Sequence, residues 1–258
     1  MKILSWNVNG LKSSLENDFG KNIKEIAPDI ICIQETKLNR ELKETFLDEY
    51  YKYYNYSNKP GYSGVAVFTK EQADNVILGM KIEDEFGEIE DLDDESRVLT
   101  VEFNNFFVVS VYVPCSQSNM DRQFYRNDFD ENFIKYIQEL NSKKDVVICG
   151  DFNVCHADID ICNLDKHKNI EVFSDVESSN FSELMELGLI DTYRYMHPQM
   201  RKYTFWTNDI EDRENSKFGW RLDYILVSEY LRKDIREANI LTKINGSDHC
   251  PIELVIRT

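Results

Sequence analysis

Asn7, Glu35, Asp151 and Asn153 each follow a run of apolar residues: Ile3 to Trp6, Ile30 to Gln34 and Val146 to Gly150. A strand that stops in a carboxylate or carboxamide presents an oxygen at its end, and neighbouring strands that stop on one edge gather such oxygens together. That is the ligand set a hard cation such as Mg²⁺ takes, with Glu35 and Asp151 the leading candidates. Further on, Gly246-Ser247-Asp248-His249-Cys250-Pro251 sets an acid beside an imidazole just before a last apolar run. Adjacent residues there point apart, so Asp248 can face a metal while His249 faces a phosphate. His249 then needs a second carboxylate to fix its tautomer, and Asp223, in the run WRLDYILVS, is the candidate. The chemistry this set could perform is metal-assisted hydrolysis of a phosphoester. The cation offsets charge on the phosphoryl oxygens, Asp151 positions or deprotonates water, and His249 stabilises the pentacovalent oxyanion. No covalent intermediate is required.

Taken singly, each of these residues has an ordinary reading. Asp or Asn after a strand most often serves a turn, and Asp248-His249 alone reads as a cap beside a surface residue. The coincidence of the full set argues for a site. Cys149, Cys155, His156, Cys162 and His167 invite a zinc reading, but they lack the paired short spacing of structural zinc sites.

The elements that must position these groups are short. β-Branched and aromatic runs at Ile3 to Trp6, Asp29 to Gln34, Ser63 to Thr69, Arg97 to Phe103, Phe106 to Val113, Asp145 to Cys149, Arg221 to Val227 and Pro251 to Ile256 predict strands. Asn104 and Asn105 alone separate two of them, which predicts a tight antiparallel hairpin. Helical periodicity covers Leu11 to Ile26, Phe124 to Leu140, and Phe181 to Leu187 with Gly188 as the stop. This mixture, in no strict βαβ order, suggests two packed, largely antiparallel sheets with helices on their outer faces; sequence alone also allows a single-sheet α+β domain.

A chain of 258 residues, 42% apolar, can bury one sizeable core, so a single domain over residues 1–258 is expected. No apolar run is long enough for a bilayer, Met1 leads straight into KILSW, and the six cysteines lack paired spacing. The expectation is an unexported protein in a reducing compartment: the cytoplasm or nucleoid of a prokaryote, or a eukaryotic nucleus. The net charge of −17 argues against a protein that coats nucleic acid nonspecifically. Residues 193–258, however, carry 11 Lys and Arg against 10 Asp and Glu, whereas residues 1–192 carry 19 against 37, so the last quarter can face DNA. Glu83 to Glu95 holds no Lys or Arg and reads as a solvated loop.

The motifs together resemble the exonuclease III and apurinic/apyrimidinic endonuclease family of the endonuclease/exonuclease/phosphatase superfamily, over essentially the whole chain. They are WNVNG at Trp6 to Gly10, IQETK at Ile33 to Lys37, GYSGVAVF at Gly61 to Phe68, RVLTVEF at Arg97 to Phe103 and YVP at Tyr112 to Pro114. They continue with GDFNV at Gly150 to Val154, YTFWT at Tyr203 to Thr207, GWRLDYILVS at Gly219 to Ser228 and GSDHCP at Gly246 to Pro251. GDFN or SDH alone is shared with sphingomyelinases and inositol phosphatases; SGVA, YTFWT and GWRLDY favour the DNA-repair branch.

The resemblance implies an α/β fold, a four-layer α/β sandwich of two largely antiparallel sheets flanked by helices. It implies hydrolysis of the DNA backbone 5′ to abasic sites by a monomer acting on double-stranded DNA, leaving a 3′-OH, with 3′–5′ exonuclease or 3′-phosphodiesterase activity as companions. Mg²⁺ is the implied ion, with Mn²⁺ as the alternative, held by Asn7, Glu35 and Asp248 with Asp151 and Asn153 beside them. Asp151 activates water, Asn153 and Tyr112 contact the phosphate, and His249 pairs with Asp223. Phe205, Trp220 and Leu222 form the apolar pocket for a flipped-out abasic sugar, and Arg97 and Tyr62 join the substrate contacts. A base-free deoxyribose is small enough for an aromatic slot that excludes an intact nucleotide.

Departures from the family's pattern keep two other readings in view. The loop after Pro114 reads Cys115-Ser116-Gln117-Ser118-Asn119 where many members carry a Gly-rich or basic stretch. The segment resembling GFTxxER reads Val172 to Ser178 without its glycine and arginine, and Lys217 replaces a usual Asn. A phosphodiesterase for lipid or inositol phosphates, or a noncatalytic interaction protein on the same fold, would accommodate them.

Overall fold

The computed structural model describes residues 1–42, 46–83, 86–116, 120–162, 174–207, 210 and 212–257. One six-stranded sheet has the spatial order β13 (Ile235–Ile240), β14 (Ile252–Ile256), β1 (Lys2–Asn7), β2 (Ile30–Gln34), β4 (Val65–Thr69), β3 (Tyr51–Asn55). The second has the order β11 (Leu189–Asp191), β12 (Asp223–Ser228), β10 (Asp145–Asp151), β9 (Phe106–Tyr112), β8 (Val98–Glu102), β5 (Asn75–Leu78). Each is antiparallel apart from one parallel pair, β1 with β2 and β9 with β10.

Side-chain alternation builds the layers. Ile3, Cys32, Val65 and Val67 of the first sheet meet Leu99, Val108, Val147 and Ile225 of the second in one buried cluster between them. The intervening residues Leu4, Trp6, Ile31 and Phe68 face α1 (Leu11–Glu16) and α2 (Phe19–Ile26), through Leu11, Phe19 and Ile23. On the far side Val109, Val111, Ile148 and Leu226 pack beneath α3 (Met120–Lys143) and α4 (Asp175–Glu186), through Phe133, Ile137, Phe181 and Leu184. A strand buried on both faces reads as a continuous apolar run, which is why these runs stand out in the sequence. The four layers are those the family resemblance implies, and they replace the single-sheet alternative.

Three local expectations change. The helix expected over Leu11 to Ile26 is two helices, because Asp18 adopts a left-handed backbone at φ 66° and turns the chain between them. The acidic run is not simply a solvated loop. Ile89–Asp91 forms β7, paired with β6 (Lys81–Glu83), and Asp93 accepts the backbone N–H groups of Arg97 and Val98. Strands β3, β5, β11 and β13 and the short helix α5 (Thr192–Met196) join the elements expected.

Candidate active site

The parallel pairs set the site. Strands that run side by side in the same direction end on the same edge, so β1 and β2 deliver Asn7 and Gln34 as register partners, with Glu35 next. In the facing sheet Asp151 lies in register with Tyr112 on one side and with Asp223 on the other. β9 and β10 approach closely at Gly150, where an added Cβ would lie 2.0 Å from the Val111 carbonyl oxygen. The sheets are tied just inside this edge, where Gln34 Nε2 donates to Ser110 Oγ at 3.1 Å. Past the strand ends the backbone turns through left-handed conformations at Asn9, Glu35, Lys37 and Asn153. Such conformations cost an L residue about 1 kcal/mol or more and gather where function fixes a side chain.

Asn7 Nδ2 donates to Glu35 Oε1 and to Asp151 Oδ2, both at 2.9 Å, drawing together carboxylates 116 residues apart in the chain. Asp248 joins through Asn9, whose Nδ2 donates to Asp248 Oδ1 at 3.1 Å, and Ser247 Oγ donates to the same oxygen at 3.0 Å. Lys37 donates to Asn9 Oδ1 and pairs with Glu35 at 3.2 Å. Asn153 donates its backbone N–H to Asp151 Oδ1 and its amide to the Val113 carbonyl, both at 2.9 Å.

His249 stands between two carboxylates. Its Nδ1 lies 2.8 Å from Asp223 Oδ2 and its Nε2 lies 3.7 Å from Asp151 Oδ2. Burial opposes a charged imidazole, but the Asp223 and Asp151 carboxylates outweigh it and push the His249 pKa up to about 10. Burial likewise raises Asp151, to about 7, with the facing imidazolium pulling against the rise and Asp223 adding to it. Burial and the Glu35 carboxylate push the Tyr112 phenol well above its ordinary range, so it holds its proton.

Ligand atoms of Asp151, Asp223 and His249 lie within 4.8 Å of one another, close enough to hold an ion. An imidazole kept protonated by two carboxylates is a poor ligand, however, because metal binding needs the neutral ring. The fit is better on the oxygen side. Glu35 and Asp151, with the Asn7 carboxamide between them and Asp248 one side chain away, offer hard donors suited to Mg²⁺ or Mn²⁺. None of the cysteines in the zinc reading belongs to that close group: Cys149 is buried in the core and Cys155 lies beneath Trp220, while His167 falls outside the described residues.

Beside His249 lies an apolar cluster with two half-buried aromatic rings at its surface. The Phe205 ring is 4.7 Å from the imidazole and 5.6 Å from the Trp220 ring, centroid to centroid. Phe205 and Trp220 are half-buried and pack on buried Leu222, Ile161 and Cys155, so Leu222 forms a floor. Arg97 and Tyr62, expected at the substrate, sit behind Tyr112. Arg97 is 2% exposed. It donates to the Tyr112 carbonyl and the Tyr62 hydroxyl, each at 3.0 Å, and to Glu95 at 2.8 Å. Its guanidinium lies over the Tyr112 ring at 4.6 Å, so in this structure it braces that tyrosine. The altered loop after Pro114 and the segment near Val172 fall partly outside the described residues.

Sequence reasoning missed Ile161, Asn9 and the buried Asp160–Arg221 pair. One signal was available for the pair. An arginine between Trp220 and Leu222 in an extended run must point away from the apolar side, and a buried guanidinium requires a carboxylate.

The model of the "Endonuclease/Exonuclease/phosphatase family" matches residues 4–249. The chain is 42% identical over 258 residues to a Bacillus subtilis (strain 168) protein named exodeoxyribonuclease, covering 99% of both. It is 35% identical to a Dictyostelium discoideum DNA-(apurinic or apyrimidinic site) endonuclease, over 99% of this chain and 70% of that one. Among solved structures, an AP endonuclease from Archaeoglobus fulgidus superposes with a TM-score of 0.85 at 28% identity, covering 100% of both chains. With matching motifs, layers and strand-end carboxylates, the chain belongs to the endonuclease/exonuclease/phosphatase family.

Proposed function

We propose that this protein is a DNA-repair phosphodiesterase that hydrolyses the backbone of double-stranded DNA 5′ to an abasic site, leaving a 3′-OH. It acts as a monomer, from a single domain over residues 1–258, with Mg²⁺ or Mn²⁺ as cofactor. The observation that carries the reading is the contact between His249 and Phe205, which sets an acid–base group against a half-buried aromatic pair. The relatives' printed activities on DNA support DNA over a lipid or inositol phosphate.

Asn7, Glu35, Asp151 and Asp248 would hold the ion, which when bound supplies positive charge to the phosphoryl oxygens. Asp151, raised to about 7, is matched to accept a proton from the attacking water near neutral pH. Charged His249, oriented by Asp223, donates to the oxyanion that develops at phosphorus. Tyr112 donates its phenolic proton to a phosphate oxygen, and Asn153 has a second amide N–H free for the same purpose. Phe205, Trp220 and Leu222 receive the base-free sugar. Among the described residues, no helix is long and apolar enough to cross a membrane.

A duplex oligonucleotide with one abasic analogue tests the reading. The expected product is a single metal-dependent nick immediately 5′ to the lesion, abolished by EDTA. An uncut duplex alongside activity on phospholipid or inositol phosphate would replace DNA with those substrates.

A further inference from the structure

The carbonyls of Tyr112, Val113 and Pro114 are held by three different side chains. Arg97 Nη1 donates to the Tyr112 carbonyl at 3.0 Å, Asn153 Nδ2 to that of Val113 at 2.9 Å and Arg126 Nη1 to that of Pro114 at 2.8 Å. Strand pairing gives out at this point. The Val113 N–H still donates to the Asp151 carbonyl at 2.9 Å, but Pro114 has no N–H with which to continue the ladder. Val113 and Pro114 are buried, so their carbonyls need partners inside the protein, and side chains supply them.

Asn153 belongs to the exit of β10 and moves with what it holds, whereas Arg126 grips both exits from α3. While its Nη1 holds Pro114, its Nη2 donates to the Phe152 carbonyl at 3.1 Å. Phe152 lies between Asp151 and Asn153, and Pro114 lies two residues past Tyr112. One planar guanidinium therefore spans the segments that leave β9 and β10, the strands whose last register pair is Tyr112 with Asp151. The guanidinium is itself fixed from behind. Its Nε donates at 2.8 Å to Oδ2 of Asp130, one turn along α3, and Asn180 Nδ2 of α4 donates to the same oxygen at 3.1 Å. Arg126 is 2% exposed, and a pair so buried adds little stability over apolar packing. What a rigid fork supplies that apolar packing cannot is geometry.

We infer that Arg126 is a positioning residue for the hydrolysis, whose two-carbonyl fork sets the spacing between Tyr112 on one strand exit and Asp151 and Asn153 on the other. The inference rests on the proposed function, in which those three side chains meet the scissile phosphate and the attacking water. Arg126 touches neither. It acts through the backbone that carries them, and a displacement of about 1 Å in reacting groups can cost about 100-fold in rate.

The test measures single-turnover rates at saturating abasic-analogue duplex, and rates on the small diester bis(4-nitrophenyl) phosphate, each per folded molecule as counted from urea denaturation. Arg126→Met keeps the stem and removes the fork. It is expected to slow both substrates about 10–100-fold with KM for the duplex unchanged. Arg126→Lys keeps the charge but offers a single point donor in place of the fork, and is expected to lie close to the methionine variant. Where Arg126→Met does not fold, the double variant with Asp130→Leu takes its place, since it leaves no buried charge unpaired. A lysine variant as fast as the wild type would reduce Arg126 to a counter-charge for Asp130 and overturn the inference. A methionine or double variant whose whole loss is explained by its unfolded fraction would overturn it too. A wild-type protein that splits the small diester and spares the abasic duplex would overturn the abasic-site reading alone, and the variants then decide the inference on the small diester. A wild-type protein that cuts neither would overturn both.

Discussion

The imidazole of His249 rests against the ring of Phe205, 4.7 Å between centroids, so under the proposed function the group that handles protons and the group that receives the sugar share one contact. That reading couples substrate selection to chemistry. Phe205→Ala is expected to lower kcat/KM on an abasic duplex by about 10–100-fold. Because the imidazole also loses a wall, kcat falls along with the rise in KM. Single-turnover rates at saturating DNA separate the two; a change confined to KM would show that the ring only binds.

His249 should remain charged through neutral pH. Burial opposes the charge, but Asp223 and Asp151 outweigh it and raise the pKa to about 10 from the ordinary 6.5. For a group raised in the fold, the charge pairing is fully present below 6.5 and is lost as pH climbs through about 10. Imidazole ¹⁵N shifts should report a doubly protonated ring at neutral pH, and the urea midpoint should fall as pH approaches 10. Asp223→Asn is expected to bring the titration down toward the ordinary range. A ring that titrates near 6.5 in the intact protein would contradict the arrangement.

Glu35→Gln should weaken metal use without unfolding the protein, since the amide still accepts a hydrogen bond from Asn7. The Mg²⁺ concentration for half-maximal activity is expected to rise at least about tenfold, the scale on which ligand environments tune affinity. A Mg²⁺ titration of the nicking rate measures it, and an unchanged half-point would move the ion off Glu35.

Gly150→Ala should cost about 1–3 kcal/mol, because the new Cβ would overlap the Val111 carbonyl oxygen at 2.0 Å and must part β9 from β10. Activity should fall by more than stability accounts for, since Tyr112 and Asp151 end those two strands. Urea denaturation beside the nicking rate distinguishes the two losses.

The legible parts of the sequence were those written in one continuous run. β1, β2, β9, β10 and β12 are buried on both faces and announce themselves as apolar stretches, and Asn7, Glu35 and Asp151 stand out because they interrupt them. β3 and β13 lie at the outer edge of their sheet, where Tyr51, Arg236 and Glu237 meet solvent and dilute the pattern. β11 spans only three residues, too few for any period to emerge. The break at Asp18 leaves the apolar spacing of α1 and α2 intact, so periodicity ran straight through it. The site beyond the strand ends was hidden for another reason: Asp160 and Arg221 are 61 residues apart and meet only through the fold.

The pairing of β1 with β14, which sets Lys2 opposite Val255, also governs when the enzyme can exist. β1 keeps one edge unpaired until β14 has been made, and His249 arrives with that same late segment. Closing so distant a contact is slow, because the entropy of a long loop must be overcome before pairing rewards it. A nascent chain thus carries no working hydrolytic centre, and on refolding from denaturant, secondary structure should return ahead of the capacity to cut.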